Sequence, residues 1–128
     1  MSDFNDPTPI ATPEQYRAAL LAIRKRMTDV QLKMLQAHCR SEGHSTSTDR
    51  LAEAVGMSIA TSARTTYINY AQWIATELKY APGPGAKKQM WLHALAYGRP
   101  GSKGTVDGQY EWIMRPELVE TLQAMKWA

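Results

Sequence analysis

Apolar positions along the chain fall at helical spacing in five stretches, and four of these open on a capping residue or a proline. Thr12-Pro13-Glu14-Gln15 is a capping box with proline at the first helical position. It predicts a helix to about Lys25, with Tyr16, Leu20 and Ile23 as its apolar stripe. Thr28-Asp29-Val30-Gln31 repeats the signal and predicts a helix to about Arg40. There Leu32, Leu35 and Cys39 line one side and Val30 and Met34 another, so cover on two sides is expected. Ser47 caps a short helix that turns Leu51, Ala52 and Val55 inward, and Gly56 stands where a left-handed residue ends it. A long helix from about Ser58 to Lys79 follows, with Ala63, Tyr67, Ile74 and Leu78 inward. Pro116 opens the last helix, which carries Leu118, Leu122 and Met125 inward and ends near Trp127.

The segments between break this period. Residues 1–11, with Asp3, Asp6, Pro7 and Pro9, read as a flexible tail, and Ser41 to Thr46 as a polar loop. Ala81-Pro82-Gly83-Pro84-Gly85 forces a sharp exit from the long helix. Met90 to Tyr97 is apolar on both alternating faces apart from His93, which fits a strand or a helical turn. Gln109 to Met114 alternates cleanly, with Tyr110, Trp112 and Met114 on one face. Strands at Trp91–Tyr97 and Gln109–Met114, paired around the Gly-rich loop 98–108, would make a wing. The expected fold is α+β and mostly helical. It is a winged helix over 12–128, a helix-turn-helix plus a β-hairpin, with an extra N-terminal helix and a C-terminal helix. The extra first helix is a candidate for homodimer contact.

The outer face of the long helix points to a partner. It presents Ser58, Thr61, Ser62, Thr65, Asn69, Gln72 and Thr76, flanked by Arg64 and Trp73, with no carboxylate. A surface helix ordinarily carries Glu, Lys and Arg there. Small hydroxyl and amide groups can approach phosphates and base edges without repulsion, or pack against another protein. In the second helix of a helix-turn-helix, the major groove of double-stranded DNA is the favoured partner. Arg64 would read guanine or clamp phosphate, and Asn69 would read adenine. Lys87, Lys88, Arg99 and Lys103 would hold the backbone from the wing side. The net charge of +3 permits this without requiring it. The rival reading is a protein-interaction module, such as an adaptor or a phage-encoded inhibitor.

Catalytic chemistry is not expected. His38, Cys39 and His44 match no zinc spacing, and phosphate-cradling loops, nucleophile turns and paired acids are missing, so neither a metal nor a cofactor is expected. The one cysteine, on an apolar stripe, reads as a buried thiol suited to a reducing cytoplasm. No apolar run is long enough for a membrane span, and the first residues do not form a signal peptide.

Several blocks resemble a bacterial domain found alone and also ahead of HNH-type nucleases. They are Leu51-Ala52-Glu53-Ala54-Val55-Gly56, Tyr67, Leu78, Trp91-Leu92 with Leu95-Ala96, and Trp112-Ile113-Met114-Arg115-Pro116-Glu117-Leu118. The resemblance runs over roughly 27–127. It implies a winged helix of the kind that senses adenine-methylated DNA, serving restriction or phage defence with a nuclease as partner. Nothing after Trp127 could be a nuclease, and Ser62 stands where an aliphatic residue is usual. Trp73, off the core stripe, is the candidate wall for a base methyl group.

Overall fold

The computed structural model describes residues 8–58, 60–81, 88–98, 105–106 and 109–128. Helices α1 (Pro13–Ile23) and α2 (Asp29–Arg40) open on the two capping boxes. The Gln15 side chain accepts from the Thr12 backbone N–H at 2.7 Å, and the Thr12 hydroxyl accepts from Gln15 N–H at 3.1 Å. Thr28 and Gln31 reproduce the exchange at 3.0 and 3.1 Å. Each box satisfies two amide donors that the helix cannot pair internally.

After α2 come a 3-10 turn (Glu42–His44), strand β1 (Ser45–Thr46) and α3 (Thr48–Ala54). The turn from α3 into α4 (Ala60–Leu78) rests on Gly56, at φ +75. Gly56 N–H reaches the Glu53 carbonyl at 3.2 Å, and Met57 N–H reaches Ala52 at 2.8 Å. This pair of bonds is the Schellman closure, which needs a left-handed residue between them. A 3-10 segment (Lys88–Ala94) leads into β2 (Ala96–Gly98), followed by β3 (Thr105–Val106), β4 (Gln109–Tyr110), β5 (Trp112–Met114) and α5 (Pro116–Ala124).

The fold is α+β and mostly helical. One antiparallel sheet has the order β1-β5-β2, with Thr46 opposite Trp112 on one side and Gly98 opposite Trp112 on the other. β3 and β4 pair separately, with Thr105 opposite Tyr110. Helix α4 forms the spine of the core, packing on α1, α3 and the 3-10 segment, while α1 also packs on α5. Tyr16, Leu20, Ile23, Met34, Leu35, Tyr67, Ile74, Leu95 and Leu122 are fully buried around it.

Several sequence expectations are corrected here. The strand expected over Trp91–Tyr97 is a 3-10 segment up to Ala94, and only Ala96–Gly98 pairs with β5. Apolar residues on both sides of 90–95 serve a buried turn rather than a sheet face. The strand expected over Gln109–Met114 is two strands in two different pairings, broken at Glu111. The polar loop 41–46 contains β1, whose hydroxyl residues Ser45 and Thr46 are buried. The end of the expected tail is docked, since Ala11 is buried and the Thr8 carbonyl accepts from Arg115 Nη1 at 2.8 Å. On α2, Met34 is covered but Val30 is exposed, so one edge of the second side is open. The apolar stripe of α1 is buried within the fold, leaving Leu21 exposed.

Candidate nucleic-acid interface

Helix α4 exposes the expected side chains. Ser58 precedes it in the open, and Ser62, Arg64, Thr65, Asn69, Gln72 and Thr76 are all exposed along it. The opposite arc, Ala63, Tyr67, Tyr70, Ala71 and Ile74, is buried. At about 100° per residue, Ser62, Asn69 and Trp73 fall within about 40° of one another. They make one continuous stripe. Arg64 does not join it, because helical phase aligns Arg64 with Ala71, seven residues on. The side chains of Thr61 and Lys88, and residues Lys87, Arg99 and Lys103, lie outside the described residues.

Trp73 is half-buried, packed against the core, and its ring is not bare. The Arg26 guanidinium lies over it, 4.9 Å from the centroid. Arg24, Lys25 and Arg26 belong to the turn beyond α1, not to its last helical turn. Sequence spacing gives no sign of the Arg26–Trp73 pairing, because α1 and α4 meet only in the tertiary fold.

Behind the exposed stripe, a hydrogen-bond chain ties α4 to the sheet. His38 is fully buried on α2. Its Nε2 lies 2.9 Å from the Trp112 carbonyl oxygen, and its Nδ1 lies 2.7 Å from the Tyr67 hydroxyl. A carbonyl can only accept, so Nε2 carries the proton and Nδ1 accepts from Tyr67. Burial holds the ring neutral, with its pKa lowered to about 4. The same burial pushes the Tyr67 hydroxyl well up, so it remains a donor. Tyr67 on α4 and Trp112 on β5 are thus set in fixed relation through one imidazole.

A second buried node fixes the ends of β2 and β5. Arg115 is fully buried at the N-cap of α5. Its Nε donates to the His93 carbonyl at 2.9 Å, and Nη2 donates to His93 Nε2 at 2.9 Å. The same Nη2 lies 3.2 Å from His93 Nδ1, which is itself 2.9 Å from the Tyr80 hydroxyl. The guanidinium also lies 5.8 Å from the Tyr97 ring. His93, the polar exception in its apolar segment, is thus hydrogen-bonded, and its cationic partner has no signature in the local sequence.

Beside β1, the Ser45 hydroxyl donates to the buried Glu111 carboxylate. Among the described residues no group of three or more His, Cys, Asp or Glu is placed to hold a metal ion. Among them, too, no helix is long and apolar enough to cross a membrane. Compared with protein-family models, curated proteins and solved structures, the chain matches none.

Proposed function

We propose that this chain is a winged-helix module that binds double-stranded DNA with the exposed stripe of α4 in the major groove. The observation that carries the reading is the stripe itself. From Ser58 to Thr76 the chain contains no carboxylate, and its exposed positions are hydroxyls, amides and Arg64. The order from α2 to β5, a helix, a strand, two helices and then four short strands, supports it, with β5 between β1 and β2. Such an order is compatible with a helix-turn-helix backed by a wing, to which α1 and α5 would be additions. Within it Ser62, Thr65 and Asn69 meet base edges, while Arg64, in phase with Ala71, stands apart from them. Lys87, Lys88, Arg99 and Lys103 are proposed as backbone contacts of the wing.

The finer reading is that adenine methylation raises affinity, as the resemblance to nuclease-linked domains implies. With Arg26 on one face of Trp73, a base methyl group would be buried at the ring edge or opposite face. Burying one methyl per strand of a symmetric site is worth about 1 kcal/mol each, or roughly tenfold or more in total. On this reading the module has no catalytic step, and a partner supplies any cleavage.

The test is anisotropy titration of labelled duplexes, methylated and unmethylated, at two salt concentrations. Wild type is expected to bind with a steep salt dependence. Asn69→Asp, which places a carboxylate in the stripe, is expected to weaken binding by about 1–3 kcal/mol. Loss of methyl preference in Trp73→Ala would support the finer reading. Tight binding by Asn69→Asp would move the contact off α4 and favour a protein-docking role for that face.

A further inference from the structure

The turn after α1 lies outside the groove-facing stripe, yet the fold organises two of its charges. Arg24, Lys25 and Arg26 are all exposed. The Arg24 guanidinium lies 5.8 Å from the Trp127 ring centroid, and that of Arg26 lies 4.9 Å from Trp73. Among the described residues no carboxylate pairs with any of the three. A free arginine samples many rotamers, and a guanidinium held over an indole has already given up part of that freedom. A cation–π contact needs no hydrogen bond from the guanidinium, so its N–H groups stay available to grip phosphate oxygens in bidentate fashion. Two supported, unneutralised guanidinium groups with a lysine between them therefore have the chemistry of a phosphate site.

The length of α4 says where such a site would act. The helix is about 28 Å long, whereas the major groove is about 12 Å wide and curves away around the duplex. Trp73 stands about 16 Å along the axis from Ser62. With Ser62 and Thr65 at base edges, Trp73 lies at the groove edge with its ring still toward the outermost base pair, and the Arg26 guanidinium above it stands at the rim, where phosphates run. We infer that Arg24 and Arg26, supported by Trp127 and Trp73, form a phosphate clamp that grips the DNA backbone beside the groove entered by α4. The partner named here rests on the DNA-binding reading above.

Because both arginines are exposed, replacing them leaves the core intact, and the variants are compared with wild type on unrelated duplexes across a salt series. The double variant Arg24→Gln, Arg26→Gln is expected to lower the salt slope by about two, at 0.9 per lost phosphate contact. Its affinity should fall at least tenfold, by a similar factor for every sequence. Arg26→Lys should keep the slope but bind several-fold more weakly, since an ammonium neither stacks flat nor binds bidentately. An unchanged slope in the double variant overturns the site, and an Arg26→Lys protein as tight as wild type overturns the stacked geometry. Should wild type bind no duplex at all, the DNA reading fails, and tripolyphosphate decides the clamp separately. Arginine Nε–H NMR signals of Arg24 and Arg26 that shift on titration keep it as a phosphate site. Signals that stay in place overturn it.

Discussion

Acidification from about pH 7 to about pH 5 is expected to remove about 2 kcal/mol of folding stability through His38 alone. In the folded chain Nε2–H is bound to the Trp112 carbonyl and the Nδ1 lone pair to the Tyr67 hydroxyl. A second proton has no place without breaking the Tyr67 bond and charging a ring that has no exposure to water. The folded pKa is accordingly lowered from 6.5 to about 4. Between those values the unfolded chain binds the proton and the folded chain does not. The contribution is therefore fully present above about pH 6.5, and is lost as pH falls toward about 4. At about 1.4 kcal/mol per unit, roughly 2 kcal/mol is gone by about pH 5 and about 3 kcal/mol by about pH 4. Urea unfolding of wild type and His38→Gln across this range measures the difference. The glutamine amide keeps one donor and one acceptor but cannot be charged, so its pH profile should be flatter. Equal slopes for the two proteins would refute the neutral, doubly bonded histidine.

Three further outcomes are expected. Gly56→Val should lose about 1–2 kcal/mol, as seen by urea or thermal unfolding. A Cβ there meets nothing within 4 Å, so the cost is that of the φ +75 backbone alone. Tyr70→Phe should unfold at equal or higher denaturant concentration, gaining about 1 kcal/mol. The Tyr70 hydroxyl is buried without a hydrogen-bond partner among the described residues, and a loss in Tyr70→Phe would show that it has one. Arg115→Met should cost about 3 kcal/mol or more by leaving buried acceptors unpaired. Limited proteolysis should then cut near Thr8, whose carbonyl the guanidinium holds in wild type.

The helices of this chain can be read from sequence because their signals are local. Thr12 with Gln15, Thr28 with Gln31, and Gly56 each act within a few residues, where the chemistry of the side chain decides the backbone. The outer stripe of α4 follows from helical period in the same way, and its exposure agrees. The short strands are harder to read. Ser45 and Thr46 carry no alternation, and they become a strand only because Trp112 and Ile113 arrive beside them. Leu92 and Leu95 look like strand residues because they are buried on both sides, a property that a packed 3-10 segment shares. The Arg26–Trp73 stack and the Arg115 node join residues from distant elements, and no periodicity encodes such meetings. Arg64 is a different lesson, since counting residues would have placed it with Ala71 rather than beside the stripe.

The position of β5 has a consequence for how the chain is made. The central strand of the sheet is also the last strand to be translated. Until Trp112–Met114 leave the ribosome, β1 and β2 have no partner, and each presents unpaired backbone along its inner side. Early helices can form as they emerge, but the sheet closes only by a long-range meeting across most of the chain, which is a slow kind of step. A nascent chain stalled before Arg115 would also lack the residue that holds Thr8 and His93. The interval before α5 appears is thus when the strand edges of this protein stand open, and a chain stopped there is expected to aggregate rather than to form a smaller domain.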